Sequence, residues 1–221
     1  MNTQEEILNY LRRRVPRSHF EEIKNIVPVA FRKAFEAGND IVHIPKDRKR
    51  AQDRYTYIQD GLAGLQQAWS SQVVSTNPEG EFYTLMTTAD VRLTAAVKPW
   101  KKTLRPAKYR LNNSKLNSFL MSPQLQLGEA SRINISADHT LNAIIIPLSP
   151  PRHMNQDAPL DIILAVPYFN SCVDYHVWCS LNKFLIGYES ELDESVDLAW
   201  PVIRKQMRRD EGLEDFYGEE L

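Results

Sequence analysis

Cysteine, glycine and long apolar runs are all scarce in this chain, and each scarcity excludes something. Only Cys172 and Cys179 occur among 221 residues. If they share a strand, an offset of seven turns their thiols to opposite faces, which excludes a common disulfide or metal there; both read as reduced core thiols. The eight glycines are scattered. None sits in the Gly-rich strand-to-helix loop that cradles phosphates, so P-loop nucleotide hydrolysis is not expected. The apolar run from Ile144 to Leu148 is stopped by Ser149-Pro150-Pro151, far short of the roughly 18 apolar residues that cross a bilayer. Met1 to Tyr10 has neither the basic start nor the apolar core of a signal peptide, and a soluble, cytoplasmic protein is expected.

Chemistry-bearing motifs are also missing. No serine nucleophile elbow occurs, neither cysteine has a basic motif beside it, and the five histidines lack the two-His spacing of zinc peptidases. His19 and Glu22 read as ordinary helix residues, and Asp138-His139 as a turn between strands. No cofactor, metal site or catalytic residue is predicted, and a non-enzymatic role is favoured.

What the chain does have is charge in one place. Residues 91–128 contain eight Lys or Arg and no Asp or Glu, although the chain-wide acid frequency would put about five there. Residues 1–90 balance 12 basic against 12 acidic, and residues 129–221 hold 7 against 16. A net charge of −1 excludes wholesale coating of nucleic acid or membrane, while a local excess allows a focused anionic contact. Seven of the eight cations fall between Lys98 and Lys115. Lys98, Lys101, Lys102, Arg105, Lys108, Arg110 and Lys115 supply charge for phosphates, and Trp100 and Tyr109 supply rings that stack on bases or anchor the segment. Arg48, Lys49 and Arg50, with Arg54, form a second cluster at a predicted helix start, where cations oppose the helix dipole. Arg12, Arg13, Arg14 and Arg17 form a third. The acidic end, residues 189–221, is a rival partner for the basic segment.

Periodicity predicts an α+β fold: an N-terminal helical region, a central and mainly antiparallel sheet, and a C-terminal helix. Thr3-x-x-Glu6 and Ser18-x-x-Glu21 read as capping boxes opening two helices, with a kink or break at Pro28. Ala51, Tyr55, Ile58, Leu62, Leu65 and Trp69 draw an apolar stripe along a third helix over about 47–69. Ile41 to Ile44 is the one strand-like stretch before residue 69. After the turn signal Asn77-Pro78-Glu79-Gly80, alternation from Tyr83 to Val97 predicts one continuous strand. Further strands are expected at 132–137, 141–148, 160–169 and 172–181, the last two joined as a hairpin at Asn170-Ser171, and a helix near 194–209. The domains read as 1–70 helical, 71–190 sheet with a basic loop near 98–115, and 191–221 helix and acidic tail, within one compact unit.

Pro159-Leu160-Asp161 followed by Asp174-Tyr175-His176 resembles the metal-ion site of the PD-(D/E)xK nucleases, in which carboxylates hold a divalent metal that activates water. His176 stands where that family usually has lysine. A two-residue hairpin would set Asp161 opposite Ser180, away from Asp174. The sequence therefore points to a binding or regulatory protein of bacterial or mobile-element type that engages an anionic partner, nucleic acid ahead of an acidic protein surface. The alternatives are a protein-interaction module, such as an inhibitor or antitoxin-like partner using the apolar helical face and the acidic tail, and a metal-dependent nuclease.

Overall fold

The computed structural model describes residues 3–43, 45–65, 69–88, 90–121 and 139–188. It divides into two compact units, Met1–Phe184 and Leu185–Leu221, and the described sheet lies wholly in the first. The strand predicted at 132–137 and the helix predicted near 194–209 lie outside the described residues.

Helix α1 spans Thr3–Arg14 and α2 spans Arg17–Ala37. Pro16 stands between them as the N-cap of α2, and no side chain caps that end. Ser18 thus lies inside the first turn and Glu21 pairs instead with Arg17 at 2.7 Å, so the second capping box is not formed. Pro28 does not divide α2 into two helices: Val27, Ala30 and Phe31 around it are all buried, and this packing outweighs one lost backbone bond. Helix α3 runs Lys46–Ala63 and stops at Gly64, so Leu65 and Trp69 of the expected stripe lie beyond it. Its buried face holds Asp53, Arg54 and Gln59 besides Ile58 and Leu62, while Ala51 is exposed. Trp69 is 1 % exposed and packs edge-on against Phe20. Each fully buried Phe, Ile or Leu here contributes roughly 1.5–3 kcal/mol.

Among the described residues the sheet has seven strands: β1 (Ser70–Ser75), β2 (Phe82–Thr88), β3 (Val91–Ala95), β4 (Lys98–Pro99), β5 (Leu141–Ser149), β6 (Asp161–Pro167) and β7 (Tyr175–Ser180). The order is β1-β2-β3-β5-β6-β7, with β4 continuing the line of β3 along β5. Both β3 and β4 pair parallel with β5 and every other pairing is antiparallel, giving the expected mainly antiparallel α+β fold. The predicted continuous strand 83–97 is instead a hairpin followed by β4, since Thr88 pairs with Val91 and Met86 with Leu93. Opposed residues share a face, so the core side passes from even positions in β2 to odd ones in β3. Asp90 sits at the turn, where its carbonyl accepts from the Leu141 N–H and its carboxylate pairs with Arg14 at 3.2 Å. β1 is an addition to the expected strands; its residues are largely exposed, and Ile41 to His43 form no strand. Asn77 to Gly80 make the predicted turn, connecting β1 to β2.

Thr84 donates its hydroxyl to the Gln59 carbonyl, and Gln59 in turn donates to Ala95 and accepts from the Thr84 N–H. Helix α3 therefore covers the face that carries Thr84 and Met86. Tyr83 points to the other face and stacks on Tyr109, with ring centroids 4.0 Å apart and planes 10° apart. The central sheet is thus covered by helices on one side and by the basic segment on the other.

Candidate nucleic-acid interface

The segment predicted as a basic loop is a structured strap. β4 aligns Lys98 with Leu148, and the Trp100 N–H donates to the Ser149 carbonyl at 3.2 Å. Leu104 is 3 % exposed and seats among Ala96, Ile144, Ile146, Ile163 and Ala165. A short helix, α4 (Lys108–Ser114), follows and leads into a 3-10 helix, Lys115–Met121. In the latter, fully buried Asn117 donates to the carbonyls of Asn142 (3.0 Å) and Pro167 (2.8 Å) and accepts from the Asn142 N–H (2.8 Å). Those bonds join the strap to both β5 and β6. Strand pairing, one apolar plug and one buried amide hold the strap in place, independently of its exposed cations.

The charged side chains divide into two sets. Lys101, Lys102, Arg105, Lys108 and Lys115 are exposed, Lys98 is half-buried, and no carboxylate among the described residues pairs with any of them. The Lys101 ammonium lies 4.5 Å from the ring centre of Trp100, and the Lys98 ammonium 4.8 Å from that of Trp178. Lys115 reaches Asn112 at 3.5 Å. Arg110 is turned inward: it is 8 % exposed, donates to the Tyr109 hydroxyl (2.6 Å) and to the Arg105 carbonyl, and lies over the Tyr109 ring. Its predicted place on a phosphate gives way to a structural one, because one hydrogen bond ties α4 to the Arg105 carbonyl of the preceding loop and the other braces Tyr109 within α4. Tyr109 likewise spends one face on Tyr83.

Tyr55, Tyr83 and Tyr175 border this buried patch, and burial pushes all three hydroxyls up. Tyr109 adds to the effect at Tyr55 and Tyr83; Tyr175, beside Cys172, is raised to about 12. All three remain neutral hydroxyls at physiological pH, so the patch supplies no anion to quench the strap.

Most cations of the other two basic clusters are spent locally. Lys49 pairs with Asp53 one turn on, Arg50 donates to the Asn39 side chain at 2.8 Å and covers Phe35, and Arg54 donates to the Gln156 carbonyl at 2.7 Å over Phe31. Arg48 is exposed, with no carboxylate partner among the described residues. At the N-terminus, Arg12 pairs with Glu5, Arg14 with Asp90 and Arg17 with Glu21. The apolar faces of α2 and α3 are largely consumed by the core.

Sequence reasoning missed Trp178. In β7, Val177 is buried while Trp178 is 38 % exposed on the opposite face, where it meets Tyr175 as well as Lys98. Alternation alone marks it as outward-facing; only the pairing of β4 and β7 with the same sheet brings it to the strap.

The nuclease-like residues do not converge. Asp161 opens β6 and accepts from the Ser180 hydroxyl at 2.9 Å, whereas Asp174 precedes β7 and holds Ser171 at 3.2 Å. The hairpin connection is longer than two residues, running from Pro167 to Tyr175, so Ile163 and not Asp161 lies opposite Ser180. Among the described residues no group of three His, Cys, Asp or Glu is arranged to hold a metal, both cysteines are free, and no helix is long and apolar enough to cross a membrane. A cleft of about 310 Å³ between α2 and α3, lined by Ile26, Val29, Lys33, Tyr57 and Asp60, lies on the helical side and not at the strap. Comparison of the chain with protein-family models, curated proteins and solved structures finds no match.

Proposed function

We propose that this chain is a non-enzymatic binding or regulatory protein that engages nucleic acid through the exposed cations of the strap, Lys101, Lys102, Arg105, Lys108 and Lys115, with half-buried Lys98 beside them. One observation carries this: an anchored segment presents these cations with no carboxylate partner among the described residues, whereas most cations of the other two clusters are paired or packed internally. A rigid, uncompensated array suits a polyanion, since each phosphate it neutralises releases condensed counterions. Trp100, 40 % exposed, adds a ring for base contact. An acidic protein surface would satisfy the charges but offers no bases to stack on that ring. Electrophoretic mobility shifts with unlabelled competitors test the proposal: homopolymeric nucleic acid should compete strongly and polyglutamate weakly, and the reverse order would transfer the role to an acidic protein.

A further inference from the structure

Among the described residues two exposed indoles, Trp100 and Trp178, are each covered by a lysine ammonium, at 4.5 and 4.8 Å from the ring centre, and neither lysine has an acidic partner there. The two lysine–indole pairs are linked through one strand end, because Lys98 lies two residues before Trp100 and its head reaches Trp178. Resting on the nucleic-acid reading above, we infer that the ligand is single-stranded nucleic acid and that the two lysine-capped indoles are its base-stacking platform. An ammonium on an exposed ring is held weakly, on a flexible four-carbon stem, and a base stacked on the same ring is held more strongly. Arrival of a base therefore displaces the lysine head from the ring, and the freed head is then within reach of the phosphate attached to that base. A duplex cannot use this device, since its base faces are already stacked on one another and only phosphates remain for the cations.

Trp178 extends the contact beyond the acid-free segment. It stands on β7, with Tyr175 tilted against it at 4.9 Å, so the platform includes the strand hairpin as well as the strap. Its carbon skeleton is not part of the buried core, and its replacement is expected to leave the fold intact.

The test uses the full chain and four probes of equal length: single-stranded RNA, single-stranded DNA, duplex RNA and duplex DNA. Binding is read by fluorescence anisotropy and by quenching of the intrinsic tryptophan emission. The expected result is preference for the single strands, with quenching, and a loss of about tenfold in Trp178→Ala and in Trp100→Ala, largely restored by Trp178→Phe, on the order of one base stack. The RNA and DNA arms show whether the sugar hydroxyl contributes. Equal affinity for duplex and single strand, or salt-dependent binding untouched by both alanine variants, would overturn the stacking inference while leaving the phosphate contact standing. No binding to any of the four probes would overturn both. Melting curves accompany each variant, and Trp100→Ala, in the loop, serves if Trp178→Ala unfolds.

Discussion

The cations at the start of α3 and those on the strap are similar in number and opposite in circumstance. On α3, Asp47 and Asp53 lie within one or two turns of the lysines and arginines; Lys49 pairs with Asp53 and Arg152 approaches Asp47 at 3.2 Å. On the strap no acid is near in sequence, and the sheet brings none into pairing distance among the described residues. Charge density alone does not distinguish a solvated helix end from a binding surface. What distinguishes them is whether acids are close enough to be recruited; the strap, with none nearby, is held by something other than its exposed charges.

The largest effect is expected from loosening that hold. Asn117→Ala removes three buried hydrogen bonds and leaves the Asn142 N–H and two carbonyls without partners, a loss of roughly 3 kcal/mol in denaturant unfolding. Next comes the charge itself. Replacing Lys101, Lys102, Arg105 and Lys108 together by Ala should weaken nucleic-acid binding on the order of a hundredfold at moderate salt, with an unchanged melting temperature. The Arg105 substitution keeps the backbone carbonyl that Arg110 uses. On α3 the balance should reverse: Arg48→Ala changes affinity by no more than about twofold, and Lys49→Ala costs about 0.2–1 kcal/mol of stability, read from the unfolding midpoint.

A fourth test separates stability from binding by pH. Burial holds the His176 imidazole below its usual range, so the unfolded chain takes up that proton more readily than the folded one. This contribution is complete above the ordinary histidine value and is lost as pH falls through it toward the depressed one. The melting temperature should therefore drop modestly between pH 7.5 and 5.5, less so in His176→Gln. The strap's contact with phosphates does not use that proton, so binding below the melting temperature should not weaken in step.

Much of this contrast is legible in the sequence. The acid-free stretch, the α+β order, the three N-terminal helices and strands β5, β6 and β7 all follow from charge and period. The failures have identifiable causes. Apolar odd positions from Tyr83 to Val97 hide a change of phase at Asp90, because Thr84 and Met86 face the core through a hydrogen bond to Gln59 and through packing that no alternation rule anticipates. β1 carries serines and an exposed Val73, held by pairing with β2 and not by its own burial. Helix α4 begins without a side-chain cap, and an arginine facing inward ties it to the Arg105 carbonyl. For the site, the exposed cations could be named from sequence, but Arg110 and Tyr109 read as surface residues until their neighbours are seen. Trp178 could not be joined to Lys98, since some 80 residues and a parallel crossover separate them.

The central claim is that the exposed strap cations meet phosphates, and the salt dependence of affinity for a single-stranded oligonucleotide measures this most directly. A plot of log affinity against log salt should be steep and negative for the natural chain. Its slope should become shallower by roughly 3 in the variant lacking Lys101, Lys102, Arg105 and Lys108, at about 0.7 for each phosphate no longer neutralised. Binding indifferent to salt, or a slope the four substitutions leave unchanged, would contradict the account.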